Sequence, residues 1–407
     1  MPVENSEKIS ENREIENKAV RESKNWLVFL ISGVIGILGG AGCILMGILT
    51  PKPEIPELEF PKIPSEKAEN GAVYSNLTGL PLADASLINA PTYCVQTPNG
   101  LDGARPQAGL NEAGVIFEAI AEAGITRFAA IYQNPDTAVI GPIRSLRLYY
   151  LQWDTPFNCT IVHAGGSDDA LAAVRSGGYR DLTENYSYMY RSSAGNRLWN
   201  NLFTTSADLA KFNSDRGFTS SEVNGFTRMT PEVAARARVD QTVAERLVIT
   251  EPATGNTSVM TPTATSIALN FGSSSTYNVR YNYDAATNSY LRAYASGAAH
   301  EVYDCPNENL GRKSPESVCQ LTQMAPTVVV AMMVDEKKAA DRYHEDITTI
   351  GSGAAYIFQN GVAIVGSWSK PSVADQIRFY NESGEEIALV PGQTFVSAVP
   401  KYGSVAY

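Results

Sequence analysis

Between Trp26 and Leu49 the chain reads WLVFLISGVIGILGGAGCILMGIL, 24 residues without a charged side chain. As a helix rising 1.5 Å per residue this run would measure about 36 Å, enough to cross roughly 30 Å of hydrocarbon with some tilt. Lys8, Arg13, Lys18, Arg21 and Lys24 precede it, whereas only Lys52 and Lys62 follow closely. The excess of positive charge before the run predicts a cytoplasmic N-terminus, with everything after Thr50 outside the membrane. A cleaved signal peptide and a lipoprotein signal at Cys43 are the competing readings. Against the first, signal peptides have shorter apolar cores. Against the second, Gly40-Ala41-Gly42 lacks the usual leucine and ILMGIL continues the run beyond the cysteine.

That segment sets the expected order of the chain. Residues 1–25 are polar and poor in large apolar side chains, so they are expected to form a disordered cytoplasmic tail. Residues 50–72 contain PKPEIPELEFPKIP, whose prolines fix φ and remove donors, so the segment is expected to extend as a spacer. The 407 residues exceed the usual single-domain length, and 44% are hydrophobic, enough for two cores. The net charge of -11 argues against a nucleic-acid reader, which needs a basic face to neutralise phosphates.

The first folded unit is expected over 73–249. Pro91–Thr97 and Asn158–His163 read as strands, each holding one cysteine among β-formers. Val115–Gln133 fits either an amphipathic helix or a hairpin turning at Ala123-Gly124, and the hairpin is preferred. Glu118 and Glu122, four residues apart, are expected on one side in either case. Gly141-Pro142 is expected to open a helix, IRSLRLYYLQW, with Arg144 and Arg147 on one face. NRLWNNLF and PEVAARARVDQTVAERL read as helices or helix ends. Residues 250–265 form a polar linker. Beyond it, over 266–407, alternating tyrosines at 277–283, the apolar run 328–334 and the Asn360-Gly361 dipeptide predict antiparallel strands. The expected fold class is an α/β (mixed α+β) N-terminal ectodomain followed by a β-rich C-terminal domain on a single transmembrane helix.

Apart from Cys43, the cysteines are Cys94, Cys159, Cys305 and Cys319, an even number in a compartment where disulfides persist. Three pairings are possible. Cys94–Cys159 with Cys305–Cys319 keeps each bridge inside one expected unit, and four free buried thiols are the alternative.

The candidate chemistry lies between Ala104 and Val174. IVHAGGSDD reads as strand, glycine turn and helix start, with Ser167 as N-cap and Asp168 and Asp169 favouring the helix dipole. His163 would end a strand where ligands collect in α/β sheets, as a candidate proton-transfer residue or as a hydrogen-bonded core histidine. Arg105, Arg127, Arg144 and Arg147 carry the guanidinium forks that match phosphate or carboxylate. Glu118 and Glu122 are either part of that anion-binding set or its internal partners. No motif implies a cofactor, and three dispersed histidines make no sequence-local zinc site. His300 and His344 sit in polar surroundings with no assigned role, and the acidic stretch Asp335 to Asp346 reads as a solvated loop.

At ARPQAGL, EAIAEAGITRF, IGPIRS and VHAGGS the chain resembles the YerB-like bacterial lipoprotein family, over about 77–226, with its C-terminal domain over about 266–400. The resemblance implies a bacterial, surface-anchored envelope protein and brings no catalytic residues. The layout of tail, single helix and ectodomain is also loosely similar to the LytR-CpsA-Psr envelope phosphotransferases. The expected function is a binding or assembly factor at the cell wall, meeting the membrane and an anionic envelope ligand. The alternative is an enzyme acting on phosphate-linked or glycan envelope precursors.

Overall fold

Every residue of β1, Thr92–Pro98, is buried, as expected for a strand covered on both faces. In the computed structural model the described residues are 71–133, 135–192, 199–244, 247–250, 257–260, 264–305 and 311–407. β1 pairs antiparallel with β3, Ile125–Gln133, which turns at Ala123 and Gly124 from β2, Val115–Glu122. Both turn residues have positive φ, 49° and 76°, so the hairpin reading of this stretch holds. On its other side β1 runs parallel to β4, Thr160–Val162, and β4 to β5, Arg180–Leu182.

Between these strands lie α1, Leu148–Asp154, and α2, Asp168–Arg175. The helix expected from Pro142 starts only after Arg147, whose backbone is extended. Residues 143–146 are held instead across the chain: Ile143 N bonds Leu202 O, Arg144 N bonds Gln96 O and Leu146 N bonds Gly165 O. A backbone donor used in this way cannot close a helical turn.

Two short strands, β6 (Tyr190–Arg191) and β7 (Leu202–Phe203), pair next, so the end of NRLWNNLF is a strand and not the expected helix. Then come α3, Ser206–Arg216, and α4, Pro231–Ala244. Part of the expected linker is a ribbon of β8, Leu247–Thr250, and β9, Thr257–Met260.

β10 (Ser266–Asn270), β11 (Val279–Asp284) and β12 (Ser289–Tyr294) form a second sheet closed by β22, Ser404–Ala406. Small ribbons are made by β13 (Glu301–Asp304) with β14 (Gln320–Gln323), and by β16 (Glu336–Lys338) with β17 (Glu345–Ile347). The remaining strands are β15 (Val328–Val334), β18 (Gly351–Gln359), β19 (Val362–Lys370), β20 (Arg378–Asn381) and β21 (Thr394–Pro400). They join the first five in one ten-stranded sheet of order β20-β19-β18-β15-β21-β2-β3-β1-β4-β5.

The junction between the two halves is β2 against β21, parallel, with Phe117 opposite Val396. The α/β part and the β-rich part therefore share one sheet, and Ser65–Tyr407 is one compact unit. Alternation along the central strands sends Phe117, Ile131 and Val330 to one face, with Tyr150 and Trp153 of α1. Ile116, Phe128 and Val329 face the second sheet and α3. The result is three layers around two cores.

The expected tail 1–25 and spanning helix 26–49 lie outside the described residues, as does the spacer up to residue 70. Among the described residues no helix is long and apolar enough to cross a membrane. Even α4, at 14 residues, is only about 21 Å long, short of the hydrocarbon thickness. The fold is a mixed α/β architecture with a β-rich C-terminal part, and the single transmembrane helix expected with it is not supported.

Candidate functional site at one edge of the sheet

β1, β2, β4, β5, β15 and β21 all point the same way, so their carboxyl ends share one edge of the sheet. The onward connection from β1 leads to β2 on one side and that from β4 to β5 on the other, which opens a crevice between their ends. The segment 143–146 docks into it, since Arg144 N donates to Gln96 O of β1 and Arg144 O accepts from Ala164 N just after β4. Arg105 follows β1, Glu122 ends β2, Arg127 begins β3 and His163 follows β4. The structure thus brings these candidates to one edge.

Glu118 is different. The ladder between β2 and β3 shifts register between Ile120 and Glu122, so an extra residue turns Glu122 to the opposite face from Glu118. The expectation that the two glutamates share a side is corrected: a four-residue spacing preserves the side only in a regular strand. Glu122 accepts from Arg127 Nη2 and from Arg147 Nη2, both at 2.6 Å. Glu118 meets Arg292 Nη2 at 2.7 Å on the second-sheet face, both side chains being 0% exposed.

Around Glu122, burial alone would raise the carboxyl pKa, but the charges of Arg127 and Arg147 outweigh it and hold it below the ordinary value. Burial, with the like charge of Arg147, lowers the pKa of Arg127. Further donors go to backbone: Arg127 Nη1 to Ser145 O at 2.7 Å and Arg147 Nη1 to Leu146 O at 2.9 Å. Two buried arginines share one carboxylate, and this part of the cluster carries a surplus positive charge.

Arg144 and Arg105 are half-buried and held by neutral groups. Arg144 Nε donates to Asn200 Oδ1 at 2.9 Å, and Arg105 Nε to Asn99 Oδ1 at 2.8 Å. Arg105 also lies over Tyr294, 4.1 Å from the ring centroid. Asp102 and Glu184 act on Arg144 at longer range. Among the described residues neither Arg105 nor Arg144 has an ion-pair partner.

His163 is 0% exposed and both ring nitrogens are engaged, Nδ1 with Gly165 O at 2.7 Å and Nε2 with Asp181 at 2.8 Å. Both ring nitrogens therefore have internal partners, as in the alternative reading of a hydrogen-bonded core histidine. Ser167 does stand before α2, although its side chain makes no capping hydrogen bond.

His300, assigned no role from sequence, is buried in a network with Arg292. Its Nδ1 accepts from Arg292 Nη1 and its Nε2–H donates to Gln107 Oε1 at 3.1 Å. Burial first, then the charges of Arg292 and Arg105, push its pKa well down, which agrees with a neutral ring. The available signal was the alternation of Tyr290, Arg292 and Tyr294 along β12, which places an arginine in register with the core residue Tyr290. His344 is bonded to Asp341 at 2.6 Å near the surface.

The acidic stretch is also more ordered than expected, being the ribbon of β16 and β17. Glu345 is buried and paired with Lys338. Burial pushes the Glu336 carboxyl up to about 7, with Tyr402 bonded to one oxygen at 2.7 Å and Glu345 nearby. An unfolded glutamate releases its proton near 4.5, so between 4.5 and 7 the folded chain holds the extra proton. Stability contributed by neutral Glu336 is present below that window and is lost as pH rises through 7. A Glu336→Gln variant is expected to flatten this dependence and to gain on the order of 2 kcal/mol at pH 8, measured by denaturant unfolding across pH. A parallel curve for parent and variant would contradict it.

The structure pairs Cys94 with Cys159, Cα atoms 5.7 Å apart, and Cys305 with Cys319, 4.3 Å apart. Among the described residues no group of three or more His, Cys, Asp or Glu could hold a metal ion. A cavity of ≈ 380 Å³ lies away from the arginine edge, against Tyr74, Phe226 and Arg228.

A three-layer, disulfide-bearing α/β protein with an arginine-rich strand edge is the class defined by these features. The chain belongs to the DUF3048 family of proteins of unknown function, matching its N-terminal domain over residues 77–219 and its C-terminal domain over 267–396. It is 39% identical over 101 residues to YerB, a proposed lipoprotein of Bacillus subtilis (strain 168). That match covers 25% of this chain and 30% of the relative's length, well under two thirds. The crystal structure of YerB from Bacillus subtilis superposes with a TM-score of 0.62 at 21% identity, covering 82% of this chain and all of that one, which establishes the fold.

Proposed function

We propose that the protein is an extracytoplasmic, envelope-associated binding or assembly factor that holds an anionic group at the carboxyl edge of its main sheet. The location is supported by the likeness to a proposed lipoprotein and by two disulfides, which persist in oxidising compartments. The binding is supported by one observation above all: Arg127 and Arg147 share a single carboxylate, Glu122, while Arg105 and Arg144 beside that edge have no ion-pair partner among the described residues. Arg127 and Arg147 are the fixed positive floor, and Arg144 and Arg105 are the half-open forks that can reach a phosphate or carboxylate.

Binding is favoured over catalysis because the groups that could move a proton are engaged. Glu122 is clamped by two guanidiniums, and His163 is bonded at both nitrogens. Calorimetry on the full chain with a polyprenyl phosphate and with inorganic phosphate tests this reading. Arg144→Ala and Arg105→Ala are each expected to weaken binding by about 1.5–3 kcal/mol, roughly tenfold or more, with little change in melting. Absence of binding to the parent chain, or equal binding by both variants, overturns it.

A further inference from the structure

We propose a second anion site, separate from the arginine edge, in the cavity of ≈ 380 Å³ whose wall includes Tyr74, Asn76, Phe226, Arg228, Met229 and Thr230. Its ligand is a small organic oxyanion, a carboxylate or phosphate monoester with an apolar body.

Arg228 carries the assignment. Nη1 donates to Val390 O at 3.0 Å and Nη2 to Leu77 O at 2.8 Å, both neutral carbonyls. Nε is buried and has no hydrogen-bond partner, and among the described residues no carboxylate pairs with this guanidinium. Burial is what lowers its pKa. A guanidinium stays protonated under these conditions, so its charge is left uncompensated. Buried charges are normally paired, and this arginine at a cavity wall has two neutral carbonyls where a carboxylate would be expected.

Other charges nearby are accounted for. Glu232 is exposed at the rim and accepts from the Tyr74 hydroxyl at 3.2 Å, with Arg236 as its charged neighbour. Arg378 bonds Asn224 and lies 3.6 Å from Glu386.

The backbone is shaped to keep Arg228 in place. Gly79 has φ +70°, and a Cβ there would stand 3.0 Å from the Arg228 Cβ, so the glycine lets the arginine stem lie flat. A Cβ on Gly225 would meet Asn76 O at 1.7 Å, so the two cavity walls can touch only at a glycine. Phe226 and Met229 supply an apolar side against the charged one, and the volume falls at the small end of ligand sites. This combination fits a compact amphipathic anion better than a bare ion.

The test is calorimetry on the full chain with benzoate, phenyl phosphate and inorganic phosphate, with benzyl alcohol as the neutral control. Benzoate or phenyl phosphate is expected to bind and benzyl alcohol not, the tighter of the two naming the headgroup. Arg228→Gln is expected to weaken binding about tenfold or more and to abolish the shift that the anionic probes cause in the Met229 methyl signal, which separates this cavity from the strand edge. If Arg228→Gln does not fold, the parent chain labelled at its methionine methyls decides, because Met229 lines the cavity and its signal, assigned with Met229→Leu, should shift with the anionic probes. No binding by the parent, an unshifted Met229 signal, or equal binding by a folded Arg228→Gln variant overturns the proposal.

Discussion

Replacing Arg292 with leucine is expected to destabilise the protein by about 3–5 kcal/mol, because it leaves Glu118 charged and without its partner at 0% exposure. Glu118 would retain the Thr126 hydroxyl at 2.9 Å and the Asn99 amide at 3.5 Å, which are neutral donors. His300 would lose the donor to its Nδ1, and Tyr281 the guanidinium that bonds its hydroxyl at 3.1 Å. The arginine also lies over Phe395, 4.8 Å from the ring centroid, so leucine replaces some of its packing and none of its charge. Removing both partners, Arg292→Leu with Glu118→Leu, is expected to recover much of the loss, since burying an ion pair gives back in attraction roughly what it costs in desolvation. Chemical denaturation of the two single variants and the double variant measures this coupling. A single-variant loss below about 1 kcal/mol, or strict additivity, would show that the pair is not coupled as its geometry requires.

The same pair explains why the sequence disclosed some of this architecture and withheld the rest. Local signals were legible. Alternation and the Ala123-Gly124 turn give the β2–β3 hairpin, and Asn360-Gly361, with φ of 55° and 80°, gives the β18–β19 turn. The apolar run 328–334 is β15, and the PEVAARARVDQTVA stretch is α4. What was not legible depends on partners far along the chain. Arg292 lies 174 residues from Glu118, and nothing near either residue names the other. The helix expected at Pro142 is displaced because Gln96, Leu202 and Gly165 take its backbone groups, a tertiary choice that local propensity does not contain. The side taken by Glu122 was misjudged for a smaller reason, one additional residue in a ladder. Of the candidate site, the residue types and the strand ends and turns that carry them were readable. The split between buried arginines on Glu122 and half-open ones on asparagines was not, because it depends on how deeply each loop packs.

Loss of the Cys94–Cys159 bridge is expected to cost about 4 kcal/mol, against roughly 3 for Cys305–Cys319, because the first closes a loop of sequence separation 65 and the second one of 14. In the chain-entropy account the bond narrows the unfolded ensemble, and the longer loop has more freedom to lose. Packing points the same way. Cys94 is 0% and Cys159 5% exposed, and they join β1 to the residue that precedes β4 beneath α1. Cys305 belongs to a small separate cluster with Tyr190 and Phe203. A Cys94→Ala/Cys159→Ala variant therefore loses sulfur contacts within the main core as well as the crosslink. The crevice between the ends of β1 and β4 is the place where Arg144 docks, so this variant should also weaken anion binding at the strand edge. The Cys305→Ala/Cys319→Ala variant should leave that binding intact. Urea unfolding of both double variants, with calorimetry of the folded fractions, reads the two effects separately. Equal stability of the Cys94→Ala/Cys159→Ala variant and its parent would show that the packing of β1 against β4 holds without the bond.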